Sequence, residues 1–159
     1  MEARRHLIID LAPMRSPDVG LPVRHPTTDD AEARGVLMLD AYEGTIDADG
    51  SETMDDARNE VDGYFSSERE PMPEHSLVAD DGGLPVAAVL VRRYEELPFI
   101  AYVMTGSSHK GRGLATALTR LTLASLHAAG ERQVHLWVTR GNDPAERIYE
   151  RLGFHEVSG

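Results

Sequence analysis

Residues 103–116, Val-Met-Thr-Gly-Ser-Ser-His-Lys-Gly-Arg-Gly-Leu-Ala-Thr, carry the strongest chemical signal in this chain of 159 residues. The apolar run before them predicts a strand and the periodic run after them a helix, so the glycines fall on a strand-to-helix turn. Gly111 and Gly113 allow a sharp turn and leave bare N–H groups open to a ligand. The first amides of a helix have no partner within it and carry partial positive charge, which favours phosphate. Lys110 and Arg112 add cationic charge at the same point of a chain whose formal net charge is −11. Together these residues suggest anion binding through backbone amides.

Three readings compete for the turn. A kinase-type phosphate loop ends in Gly-Lys-Ser/Thr, which is missing here. A dinucleotide fingerprint needs a third small residue near position 116 and an acid after the next strand. The chain has Thr116, and the strand expected at 134–138 leads to Thr139 and Arg140. A glycine-rich turn that binds nothing stays open on these residues alone.

The whole arrangement resembles the GNAT superfamily of N-acetyltransferases, whose members carry Arg/Gln-x-x-Gly-x-Gly/Ala between a strand and a long helix. Lys110-Gly111-Arg112-Gly113-Leu114-Ala115 is similar, with lysine in the first position. A second stretch downstream, Leu136-Trp137-Val138 followed by Asn142, Ala145, Tyr149 and Leu152-Gly153-Phe154, resembles the other signature of the family. The resemblance is good over residues 85–157 and loose over 1–75. It implies acetyl-coenzyme A as co-substrate, with coenzyme A as product. Its pyrophosphate would lie on Lys110, Gly111, Arg112, Gly113, Ala115 and Thr116, and its pantetheine arm along Val103, Met104 and Thr105. By the same resemblance Asn142 bonds the cofactor region and Tyr149 protonates the departing thiolate. A tyrosine hydroxyl has a reference pKa of about 10 and is able to donate at neutral pH.

Transfer to an amine also needs a base, since a lysine-like amine with a reference pKa near 10.4 is almost wholly protonated at pH 7. Many members of the family use a glutamate on the strand before the glycine turn, but 99–105 contains no acid, and Glu95 and Glu96 precede it. Asp40 interrupts an apolar stripe of the first helix, with Tyr42, Glu43 and Asp47 after it. A buried, partner-poor carboxylate there would have a raised pKa and act as a base, so Asp40 joins Tyr149 as a catalytic candidate. Ordered water is the alternative. The seven histidines are scattered, with no close pair at ligand spacing, so no metal site is expected. His109 reads as a surface histidine, and Trp137 as core or pocket wall.

These residues need a scaffold, and the sequence outlines one. Short strands are expected at 7–11, as an edge within an extended N-terminal segment over 1–20, and at 21–24. Thr28, Asp29 and Asp30 offer caps for a helix running to about Tyr42, with Ala33, Val36, Leu37 and Ala41 on one stripe. A second helix is expected at 53–65, strands at 76–79 and 85–92 around the turn signal Asp80-Asp81-Gly82-Gly83, and a strand at 99–105. The next helix, 114–128, groups Leu114, Ala117, Leu118, Leu121 and Ala128. After the strand at 134–138, Asp143 as cap, Pro144 at the first helical position and Glu146 start a helix that ends at Gly153. A strand at 154–157 closes the series. Strands and helices alternate without repeats, which predicts one α/β domain over 1–159 with a mixed central sheet flanked by helices. The resemblance adds a V-shaped splay between 99–105 and 134–138.

Composition narrows the function classes. The excess of 27 acidic over 16 basic residues argues against nucleic-acid binding and favours a cationic partner, here a small-molecule or peptide amine. The absence of cysteine excludes disulfides and a cysteine nucleophile. No run approaches the ~20 apolar residues of a membrane span, and Asp10 interrupts the apolar run after Arg4 and Arg5, so neither membrane contact nor a signal peptide is expected. The expectation is a cytoplasmic protein, with a homodimer compatible. A non-catalytic acyl-coenzyme A sensor of the same fold is the rival reading.

Overall fold

The structure, a computed structural model, describes residues 4–15, 17–27, 31–42, 63–64, 66 and 69–157, apart from the side chains of residues 31, 32, 35, 39, 41 and 42. Its elements are β1 (Arg4–Asp10), β2 (Val23–Arg24), α1 (Ala31–Tyr42), β3 (Leu77–Asp81), β4 (Leu84–Tyr94), β5 (Leu97–Thr105), α2 (Leu114–Ala128), β6 (Gln133–Thr139), α3 (Asp143–Leu152) and β7 (His155–Glu156). The helix expected at 53–65 falls almost wholly outside the described residues, as do Glu43 and Asp47.

The strands form one sheet in the order β2-β3-β4-β5-β6-β1-β7. Every pairing is antiparallel except β5 with β6, so the sheet is mixed as expected. β1 departs from its expected place at an edge. It pairs along its whole length with β6 and, at Leu7 and Ile8, with β7, so it lies inside the sheet. Alternation tells a strand from a helix but cannot name its neighbours, and these come from the far end of the chain. Arg5 reinforces the placement through contacts with Glu146 and Glu150 of α3 and Glu156 of β7 at 3.3, 3.5 and 2.6 Å.

Helices cover both faces. α2 and α3 pack on one face against Leu7, Ile9, Val89, Val91, Ile100, Leu136 and Val138. On the other face α1 packs Leu37 and Met38 against Val78, Ala88, Leu90 and Met104. Ile100 lies in the first cluster and Met104 in the second, which strict alternation along β5 forbids. The register explains the switch: Leu90 pairs with Tyr102 but Val91 with Ile100, leaving Ala101 as an extra residue. This β-bulge turns the end of β5 over.

Two helical stripes differ from expectation. In α1 the buried face is Arg34, Leu37 and Met38, while Val36 is 55% exposed, because the i, i+3, i+4 set that meets the sheet begins at Arg34. In α2 the buried set is Leu114, Leu118, Thr119, Thr122, Leu123 and Leu126, and Ala128 is exposed. α3 begins one residue early: Asn142, not Asp143, is the N-cap, and Asp143 and Pro144 open the first turn. With Asn142 as N-cap, Glu146 is the fourth helical residue rather than the third, so it completes no capping box, and its carboxylate faces Arg5.

Two tight hairpins flank β4. Gly82 and Gly83, at φ 62° and 84°, form the first. The second joins Tyr94 to Leu97 through Glu95 and Glu96, also left-handed at φ 53° and 70°. Such a turn favours glycine or asparagine, so two glutamates hold it at a cost of about 1 kcal/mol each.

Candidate active site

β5 and β6 are parallel neighbours that pair at one position, Phe99 with His135. Beyond it they part, as expected, and the β6-side amides of β5 have no strand ladder to join. The carboxyl ends of two parted parallel strands are where an α/β sheet receives ligands. Here those ends carry the two segments singled out by sequence: 106–113 after β5, and 140–142 after β6.

The first segment has a fixed root and an open tip. At the root, Gly106 N–H donates to Val86 O (2.8 Å) and His109 N–H to Gly106 O (2.9 Å). Asp40 accepts from Ser107 twice, from the backbone N–H and from Oγ, each at 2.7 Å. A Cβ on Gly106 would stand 3.2 Å from Asp40 Oδ2, so glycine makes room for the carboxylate. His109 is bonded through both ring nitrogens, to Asp81 (2.8 Å) and Ser108 Oγ (2.9 Å), and is not the free surface residue expected.

At the tip, Lys110, Gly111, Arg112 and Gly113 are exposed. Gly111 and Gly113 adopt φ 80° and 78°, which side chains disfavour, and a Cβ on either would meet no atom within 4 Å. Gly113 is the N-cap of α2, and the first helical bond runs from Ala117 N–H to Gly113 O. The amides of Leu114, Ala115 and Thr116 therefore precede the ladder. This cradle of bare backbone, helix N-terminus and two cations fits a diphosphate.

The remaining candidates fall around it. Val103 packs toward the α2 side and buried Met104 toward the α1 side, so each offers the parted edge only its backbone. Thr105 ends β5. Asn142 stands at the start of α3, where its N–H donates to Thr139 O (3.1 Å) and its carbonyl accepts from Glu146 N–H (3.0 Å). Tyr149 is buried in the core of the α2–α3 side, its ring edge-on to Phe154 at 5.7 Å.

Asp40 requires a correction. It was expected to be partner-poor, with a raised pKa. Instead the Ser107 N–H, the Ser107 hydroxyl and the charge of Lys110 hold its carboxyl below the usual range, against a smaller opposing effect of burial. Such a carboxylate is a poor base and a good anchor.

One group of residues was missed. His6 Nε2 and His135 Nδ1 lie 2.8 Å apart although 129 residues separate them, and His135 Nε2 is 3.0 Å from Tyr94 O. Trp137, expected in the core or a pocket wall, is 44% exposed and stacks on His6 at 4.5 Å. Histidine spacing could not reveal the pair, since β1 meets β6 only through the sheet. Among the described residues no cluster suited to a metal ion occurs, and no helix is long and apolar enough to cross a membrane.

Comparison with known proteins gives a consistent result. The model of the acetyltransferase (GNAT) family matches residues 37–154. A mycothiol acetyltransferase of Actinosynnema mirum is 35% identical over 108 residues, 66% of this chain and 34% of the relative, so the chain spans about a third of that protein. Among solved structures, a GCN5-related N-acetyltransferase of Sphaerobacter thermophilus superposes with TM-score 0.76 at 23% identity, covering 97% of this chain and 48% of the other. A GNAT family acetyltransferase of Brucella melitensis, solved in complex with acetyl-CoA, gives TM-score 0.64 at 19% identity over 87% of each chain.

Proposed function

The chain belongs to the GNAT acetyltransferase family, and from that premise we propose that it moves an acetyl group from acetyl-coenzyme A to a primary amine by direct attack. The observation that carries this reading is the parting of β5 from β6 beneath a turn whose two left-handed glycines face open space. In this reading Gly111, Arg112, Gly113, Ala115 and Thr116 receive the pyrophosphate, with Lys110 and Arg112 supplying charge. The bare edge of β5 at Val103, Met104 and Thr105 suits an amide-bearing pantetheine arm, which extends the sheet as a strand does. A β-bulge leaves its extra residue outside the ladder, so the β5 segment from Ala101 to Met104 can aim an N–H at the thioester carbonyl. Tyr149 donates the proton to the leaving sulfur, and Asn142 orients the same region from the start of α3. Asp40 holds the turn and takes no proton. Much of the acceleration then comes from fixing two reactants in one geometry. The acceptor is a small-molecule or peptide amine, a cation suited to a chain of net charge −11.

Isothermal titration with acetyl-coenzyme A, for the native chain beside Gly113→Glu, tests the reading. Binding by the native chain and its loss in a folded Gly113→Glu variant support it. A folded native chain that does not bind refutes it. Turnover is then measured by mass spectrometry with a tetrapeptide bearing a free N-terminus, spermidine and an aminosugar. Binding without turnover favours an acyl-coenzyme A-binding module instead.

A further inference from the structure

The glycine turn leads into α2 on one face of the sheet, and the opposite face is the α1 side. There α1 covers the half of the sheet formed by β3, β4 and β5. Along β6 and β1 the same face presents His135, Trp137 and His6, joined by Tyr94 and Phe99 across the strand pair. Arg92 lies over both the Tyr94 and Phe99 rings, at 4.8 and 5.3 Å. His135 marks the point where β5 and β6 separate, and Trp137 lies two residues into the opened stretch with His6 stacked on it.

The hydrogen bonds order the protons of the pair. A carbonyl only accepts, so His135 bears its hydrogen on Nε2 toward Tyr94 O, and in the neutral ring its Nδ1 is a lone pair. His6 therefore donates from Nε2 into His135 Nδ1. Burial, opposed by the bond to Tyr94 O and aided by His6, pushes the His135 pKa down. His6 is left with a lone pair on Nδ1, which makes no hydrogen bond to a described residue. A proton added there leaves the bond to His135 intact, with the ring stacked on Trp137 at 4.5 Å.

Resting on the acetyl-transfer reading above, we propose that His6 is the general base of this site and accepts the acceptor's proton at Nδ1. An incoming ammonium gives one proton to His6, and its nitrogen attacks the thioester carbon. The C–N bond forms and the C–S bond breaks. The leaving sulfur takes the Tyr149 proton, the tyrosinate recovers the second proton from nitrogen, and His6 releases its own to solvent. Among the described residues, the titratable and charged groups around the pair are Arg4 on β1, His155 on β7, Arg92 and Tyr94 on β4 and Glu95 in the β4–β5 turn. Asp40, the α1 carboxylate that anchors the glycine turn, is already bonded to Ser107.

Two measurements test this. Long-range 1H–15N spectra of the native chain with labelled histidine should show His135 neutral and protonated at Nε2 throughout, and His6 gaining its proton at Nδ1 as pH falls. The opposite tautomer for either ring overturns the proposal. The second is the pH profile of kcat/KM with whichever primary amine of the panel turns over. His6→Gln should keep acetyl-coenzyme A affinity, lose about 100-fold or more in kcat/KM and lose the acid limb, while His6→Ala should regain rate with added imidazole. A His6→Gln profile like that of the native chain overturns the base and leaves acetyl transfer standing. Loss of acetyl-coenzyme A binding in His6→Gln makes the residue structural and also overturns it. If the native chain binds acetyl-coenzyme A but acetylates no amine, the transfer reading falls and the base with it.

Discussion

Replacing Asp40 by asparagine separates an anchor from a base. The native carboxylate accepts two hydrogen bonds of 2.7 Å from Ser107, one from the backbone and one from the hydroxyl. Asparagine retains one acceptor oxygen, turns a donor toward the other and removes the charge. A hydrogen bond to a charged group nets about 1.5–3 kcal/mol. Solvent screening at a partly exposed carboxylate lowers the whole loss to about 1–2 kcal/mol. At about 2.1 cal/mol/K per residue, unfolding this chain carries an entropy of about 0.33 kcal/mol/K, so Tm should fall by about 3–6 °C. The sign of the pH dependence follows from the lowered pKa of Asp40. A carboxylate depressed on folding gives its full stabilisation above its unfolded value, near 3.9, and loses it as pH falls through the folded value. The gap in Tm between the native chain and Asp40→Asn should therefore be widest near neutrality and close below about pH 4. Differential scanning calorimetry from pH 3 to 7 measures it, with kcat determined alongside. The anchor predicts a lower Tm and a weaker hold on acetyl-coenzyme A with kcat kept within severalfold. An unchanged Tm with a hundredfold loss of kcat would refute the reasoning and restore Asp40 as the base.

Two further substitutions probe other parts of the molecule. Tyr149→Phe should lower kcat by about 10- to 100-fold, the ring keeping its edge-on contact with Phe154; full kcat across the pH range would end the role of Tyr149 as acid. Glu96→Gly should raise Tm by about 2–3 °C, because glycine removes about 1 kcal/mol of left-handed strain at φ 70°, and an unchanged or lower Tm would mean that the turn is not strained.

The glycine turn was legible because its function resides in the backbone: Gly111 and Gly113 announce positive φ by their identity alone. The strands and helices around it were legible through period, although the stripes of α1 and α2 were misaligned where an arginine or threonine is buried. Asp40 was visible as an anomaly, but the direction of its pKa shift was not, because the partner that lowers it lies 67 residues away in Ser107. The bulge at Ala101 leaves no mark in the sequence, since alanine fits either face, yet it reverses Tyr102 and Met104. The His6–His135 pair was invisible for a topological reason. Nothing local to Arg4–Asp10 says that its partners will be β6 and β7.

That topology has a consequence for how the chain is made. β1 is synthesised long before β6, His135 following His6 by 129 positions. Until β6 emerges, Leu7 and Ile9 have no ladder to join, and the apolar strand must wait exposed or be held by another protein. Closing so long a loop is slow rather than thermodynamically prohibitive. Assembly should therefore begin in the β3–β5 meander, whose contacts are local, and finish when β1 slots between β6 and β7. Nascent chains stalled before residue 133 should show a protease-sensitive N-terminal segment, and released chains a protected one.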